Sequence, residues 1–229
     1  MSKSKSFSLI VPIAADKPEF ETSLPQLFAP STDGIMICVK SILGLNVDVF
    51  DNIYFTILKK HAELYDIDKL LQLQFKRLNL KKAKLTILEN PTKSQVETIC
   101  QTVKKESIEG AVYIKDADCC FKAMAEPANS IAIYPLEDLN WVNPQHKSYV
   151  SVDEMHYVTN IIERRIVSHY FCAGGYGFEN ASELCKYYNR LKSNQGLYLS
   201  HIIYAMLLDK KTFRPLYISE YKDFEENEK

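Results

Sequence analysis

Long apolar runs are missing from this sequence. The stretch from Phe7 to Ala15 is too short to cross a bilayer and lacks the flanks of a cleaved secretory signal. An excess of one charge is missing too: 28 Lys and Arg against 29 Asp and Glu leave a formal net charge of -1. That balance gives no global attraction for nucleic acid or an anionic membrane. Cys-x-x-Cys spacing is absent as well. The six cysteines, Cys38, Cys100, Cys119, Cys120, Cys172 and Cys185, are scattered, as suits reduced thiols in a cytoplasmic protein rather than a disulfide framework. None of the five histidines falls in an H-E-x-x-H pattern, and no G-x-S-x-G elbow marks a serine hydrolase. Glycine is scarce, with seven in all and none before Gly34. The loop after the first apolar run therefore has no glycine-rich amide cradle for a phosphate.

What is present suits a sizeable core. The chain has 229 residues, 46% of them hydrophobic, within the range of one large domain spanning 1–229 with flexible ends at 1–7 and 224–229. The composition leaves self-association open. Ser8–Ala15 reads as a first strand, interrupted by Pro12, and 51–58, 83–88 and 110–116 repeat its β-branched and aromatic character. Between them, Leu64, Ile67, Leu71, Phe75 and Leu78 recur at helical spacing, and Ser94-Gln-Val-Glu97 has the capping-box pattern of a helix reaching about Glu106. Alternating strand and helix predict parallel βαβ crossovers with ligands at the carboxyl ends of the strands. After Asp118 come shorter strands near 129–135, 148–152, 158–163 and 170–178, helices near 182–191 and 198–208, and a last strand near 213–218. The expected fold is a three-layer α/β, Rossmann-like mixed sheet, mainly parallel in the first half with antiparallel additions after residue 118.

Chemistry concentrates in Tyr113-Ile-Lys-Asp-Ala-Asp118, a buried strand ending in two carboxylates, Asp116 and Asp118. Hard cations such as Mg²⁺ or Mn²⁺ take oxygen ligands and commonly link one or two carboxylates to substrate phosphates. Turns also favour Asp for their own sake, as caps or solvated groups. Thr92 and Gln95, at the approach to the second helix, offer groups able to read a base edge, while Thr92 or Ser94 also suits the helix cap. Tyr187, Tyr188, Tyr198 and Tyr204 read as core or edge residues, and no basic surface interleaved with aromatics points to nucleic acid.

In their order along the chain, four blocks resemble the sugar-1-phosphate nucleotidyltransferase family, which has a glycosyltransferase-A type fold. They are the strand ending at Asp118, Ile161-Ile-Glu-Arg-Arg165, Ala173-Gly-Gly-Tyr-Gly-Phe178 and Tyr221-Lys-Asp223. The resemblance implies that Asp118 with Asp223 holds Mg²⁺, that Glu163 meets sugar hydroxyls, and that Arg164 stands where the family has a Lys meeting the sugar phosphate. Gly174 and Gly175 would let the backbone approach the sugar closely, or form a bulge in a bent strand. Asp116 would be a direct metal ligand in a glycosyltransferase and lie outside the metal's ligands in a nucleotidyltransferase. The family's glycine-rich, arginine-bearing loop is missing: 14–26 carries Asp16, Glu19 and Glu21, with Lys17 the only nearby cation.

The implied reaction is transfer of a nucleotidyl group from a nucleoside triphosphate to a sugar phosphate or similar phosphorylated metabolite, with surface-polysaccharide synthesis as the setting. A glycosyltransferase using a sugar nucleotide, and a non-catalytic relative, are the alternatives left by the lost loop.

Overall fold

The computed structural model describes residues 6–15, 23–138, 147–194 and 196–224. Strands β1 (Phe7–Ile13), β2 (Asn52–Leu58), β3 (Ala83–Leu88) and β4 (Ala111–Lys115) lie parallel in the order β3-β2-β1-β4. Both faces of β1, β2 and β4 are covered, which explains their continuous apolar character, whereas β3, at the sheet edge, leaves Lys84 exposed. Alternate side chains of β1 serve different cores: Leu9, Val11 and Ile13 join one with Ile67, Leu71 and Phe75, and Ile10 joins the other with Val96, Ile99 and Leu184. The first core lies under α2 (Lys59–Tyr65) and α3 (Ile67–Arg77), which follow a one-turn α1 (Ile37–Lys40). The second lies under α4 (Gln95–Lys105), α5 (Ala181–Leu191) and α6 (Leu199–Leu208). Three layers result.

The later strands extend the sheet beyond β4. These are β5 (Cys119–Lys122), β6 (Ser130–Pro135), β7 (Ser148–Val152), β8 (Val158–Glu163), β9 (Tyr170–Phe178), β10 (Arg214–Tyr217) and β11 (Ser219–Asp223). Strand β9 runs antiparallel to both β4 and β6, β7 pairs antiparallel with β8 and β9, and β10 pairs parallel with β6. The mixed sheet with antiparallel additions is as expected. A separate ribbon pairs β5 with β11, bringing Asp223 opposite Cys119.

The order reverses between β1 and β4, because the chain moves outward through β2 and β3 and then returns to the far side of β1. Such a switch point opens a crevice at the carboxyl ends of the strands. The β1–β4 ladder runs from Phe7 to Ile10, so Pro12, which cannot donate to a ladder, lies past its end.

Three expectations change. The predicted helix through Leu64 and Leu78 is two helices, broken at Asp66, whose φ of 52° is left-handed and whose short side chain tolerates it. Leu64 is exposed and leaves the buried stripe of Ile67, Leu71 and Phe75. Two residues that sequence assigned to the ends have places in the fold: Phe7 opens β1, and Phe224 is buried with its N–H on the Asp118 carbonyl at 2.8 Å. The ribbon strands β5 and β11 are additions. Among the described residues, no helix is long and apolar enough to cross a membrane.

Candidate functional site

A polar cavity of about 220 Å³ opens beside the carboxyl end of β4, lined by Gln95, Asp116, Asp118, Glu163, Arg164 and Gly174 among others. That is smaller than the roughly 300–1,000 Å³ of typical small-molecule sites. Six of the residues singled out by sequence meet here.

The turn after β4 is braced from below. Lys115 is fully buried, and its ammonium donates to the carbonyls of Asp116 (2.8 Å) and Cys119 (2.9 Å), with the Cys119 Sγ at 3.1 Å. Three acceptors from one turn satisfy its three donors. Asp116 is then fixed from two sides: its N–H donates to the Gly174 carbonyl at 2.9 Å, and Gln95 Nε2 donates to its Oδ1 at 2.5 Å. Gln95 is aimed by its helix, since Ser94 caps α4 by accepting from the Glu97 N–H at 3.2 Å, and Glu97 accepts from the Lys93 N–H at 2.7 Å. Burial, and then the neighbouring Asp118 charge, push the Asp116 carboxyl up to about 6, against the pull of Lys115, Gln95 and Lys147.

Gly174 makes this proximity possible. Its φ is +78°, and a Cβ built there would meet Asp116 Oδ2 at 2.7 Å and Cys119 Sγ at 2.9 Å. Gly175 does different work: a Cβ there would meet Tyr113 Oη at 2.3 Å and the Ala132 Cβ at 2.9 Å, so its smallness serves core packing, and it does not line the cavity.

The opposite contribution comes from β7, β8 and α6. Glu163 Oε2 accepts from Ser148 Oγ at 2.5 Å and from Ser200 Oγ at 2.6 Å. Arg164, with a left-handed φ of 58°, donates to Tyr198 Oη at 2.6 Å and lies over that ring. Thr92 stands aside: its hydroxyl is 2.6 Å from that of Thr98 and 3.5 Å from the Ala14 carbonyl, outside the cavity lining. Lys17 lies outside the described residues.

Asp223 is close to the turn, but its carboxylate is engaged. Oδ2 accepts from the Lys147 ammonium and, at 3.0 Å, from Tyr221 Oη. Asp118 with Asp223 as a metal pair therefore does not fit this donor arrangement, because an ammonium already neutralises one partner. Among the described residues, no three His, Cys, Asp or Glu side chains converge to hold a metal ion.

Sequence reasoning placed Tyr176 and Tyr221 in its family blocks without giving them a role, treated Tyr198 as core or edge, and missed Lys147, Ser148 and Ser200 as cavity residues. Only their neighbours gave a signal: Lys147 and Ser148 stand at the start of a strand, and Ser200 lies in the first turn of a helix.

No family model matches the chain, and no curated protein matches it in sequence. Solved structures share its fold. A nucleoside-diphosphate-sugar pyrophosphorylase from Vibrio cholerae RC9 is 14% identical with a TM-score of 0.76, covering 94% of both chains. The inositol-1-phosphate CTP transferase from T. maritima is 12% identical with a TM-score of 0.69, over 94% of this chain and 86% of that one. A UDP-glucose pyrophosphorylase complexed with UDP-glucose is 11% identical with a TM-score of 0.67, over 96% of this chain and 93% of that one. The chain has the mixed α/β fold seen in these nucleotide-sugar pyrophosphorylases and nucleotidyltransferases.

Proposed function

We propose that the protein is a nucleotidyltransferase-like enzyme moving a nucleotidyl group from a nucleoside triphosphate to a sugar phosphate or a similar phosphorylated metabolite, in surface-polysaccharide synthesis. The observation that carries this reading is the convergence of Asp116, Asp118, Glu163, Arg164 and Gly174 on one cavity beside the carboxyl end of β4. The fold neighbours named above include enzymes of this kind. In the reaction, a phosphate oxygen of the acceptor attacks the α-phosphorus, and the bond to the departing pyrophosphate breaks. No side chain need become covalently attached, so the protein's work is alignment and charge neutralisation.

Each residue has a part in that alignment. Glu163 is oriented by Ser148 and Ser200 and presents its other oxygen to sugar hydroxyls. Arg164 supplies a planar cation for the sugar phosphate in place of a lysine's point charge. Gln95 donates to Asp116 and keeps its carbonyl oxygen for a base edge, with Thr92 as its sequence neighbour. Gly174 allows the sugar to approach backbone closely, and Gly175 supports it through packing. Lys17 would reach the triphosphate from the first loop. Mg²⁺ or Mn²⁺ is the cation the fold suggests, and the assay is therefore run with each and with neither.

The test is pyrophosphate release from each nucleoside triphosphate against a panel of sugar phosphates. Release is expected with at least one pair and should fall by about 10²-fold in kcat/KM in Glu163→Gln. Silence across the panel overturns the reading.

The engagement of Asp223 by Lys147 favours a second reading, a glycosyltransferase using a sugar-nucleotide donor, because it leaves Asp116 and Asp118 as the pair facing a diphosphate. Binding of a nucleoside diphosphate without any pyrophosphate chemistry would select it.

A further inference from the structure

Lys147 is the cavity's most enclosed cation. Its side chain is 13% exposed and that of Asp223 is 10% exposed, so the pair is an almost buried ion pair. The ammonium donates to Asp223 Oδ2 and to Tyr221 Oη at 2.9 Å, and the Phe171 and Tyr221 rings lie 5.8 and 5.6 Å away. Both charges are held by backbone. Phe224 N–H bonds the Asp118 carbonyl, fixing the strand that carries Asp223 to the turn that carries Asp118, and Arg164 N–H bonds the Lys147 carbonyl at 2.8 Å, tying the cavity's two cations together.

An ammonium has three donors. Two are used by Asp223 and Tyr221, and Lys147 lines the cavity, which leaves a donor for a ligand there. For a divalent ion to use Asp223, it would have to break a buried ion pair and find further oxygen ligands in near-octahedral array.

We propose that the Lys147 ammonium is the resident cation between Asp118 and Asp223, and that it donates its remaining hydrogen to a ligand phosphate. The protein itself then holds no divalent metal at this pair. The phosphate half rests on the nucleotide reading above; the cation half stands without it.

The experiment titrates the full chain with Mn²⁺, following the free-ion paramagnetic signal, and with inorganic pyrophosphate in EDTA by calorimetry. It uses wild type, Asp223→Asn, Lys147→Gln, Lys147→Arg and Lys147→Gln/Asp223→Asn, each checked for folding by circular dichroism. The glutamine keeps a donor toward Asp223 and so spares the fold more than an apolar residue would. Wild type is expected to take up no Mn²⁺ through Asp223, Lys147→Gln to gain a Mn²⁺ site, and the double variant to lose it. Pyrophosphate should bind wild type and Lys147→Arg in EDTA, and Lys147→Gln about tenfold or more weakly, as for loss of one charge-assisted hydrogen bond.

A wild-type Mn²⁺ site abolished by Asp223→Asn overturns the proposal, as does a Lys147→Gln variant that gains no Mn²⁺. A Lys147→Gln variant that binds pyrophosphate as wild type does, or a wild type that binds none in EDTA, overturns the phosphate half. Missing pyrophosphate release in the turnover assay tells against the nucleotidyltransferase reading and leaves the Mn²⁺ result unchanged.

Discussion

Asp116 follows the end of β4 in the main sheet, Asp223 ends β11 in the separate ribbon, and they are held in opposite ways. Asp116 receives an amide from Gln95 and sits beside the like charge of Asp118, whereas Asp223 receives an ammonium and a phenol. One carboxylate is left wanting positive charge and the other is supplied with it. The cavity therefore has a side poised for an incoming cation or proton and a side already neutralised. The same residue type is tuned by burial and by the partners around it.

Substitutions can break or sharpen this contrast. The largest effect belongs to Lys147→Met, which strands a nearly buried carboxylate and should lower stability by about 3–5 kcal/mol in urea unfolding at neutral pH. Adding Asp223→Leu should recover most of it. A cost for Lys147→Met of only a few tenths of a kcal/mol would erase the contrast.

Gly174→Ala comes next, at about 2–3 kcal/mol, because the new methyl occupies a left-handed backbone and presses on Asp116 and Cys119. Its melting midpoint should fall, and Gln95→Ala should not rescue it if the clash lies in the turn itself.

Asp116→Asn should act with the opposite sign. A carboxyl raised from 3.8 to about 6 in the folded protein binds its proton more tightly than in the unfolded chain, so its contribution to stability is present at low pH and is lost as pH rises through that window. The asparagine variant removes the loss and should gain about 2 kcal/mol at pH 7, after allowance for partial exposure, and about 0.5 kcal/mol or less near pH 4. Denaturant midpoints at the two pH values decide it.

The smallest effect is that of Ser94→Ala, about 1 kcal/mol for a lost N-cap. By loosening the turn that aims Gln95, it should also shift the Asp116 titration, read by carboxyl-carbon NMR.

Legibility in the sequence followed locality. The strands 83–88, 148–152, 158–163 and 170–178 emerged with the bounds the structure gives, since alternation and turn residues are written within a few positions. The break at Asp66 was hidden because Leu64 keeps helical spacing while pointing to solvent. The β5–β11 ribbon was hidden because Cys119–Lys122 is short, Ser219–Asp223 is largely polar, and each depends on a partner about a hundred positions away. The same holds within the site. Asp116, Asp118, Glu163, Arg164 and Gly174 belong to recognisable blocks, whereas Lys147 and Ser200 gain meaning only from Asp223 and Glu163, which folding alone brings near.

The bond from Phe224 to the Asp118 carbonyl also sets an order in time. On the ribosome, the turn at Asp118 emerges long before the segment that pins it, and the domain-scale contact can close only when residue 224 has cleared the exit tunnel. Until then β5 lacks its ribbon partner, and Lys147 lacks its ion pair with Asp223. A nascent chain stalled short of that point would carry its parallel layers and both helices of the later half, yet no finished cavity, so ligand binding would report completion of synthesis rather than collapse of the core.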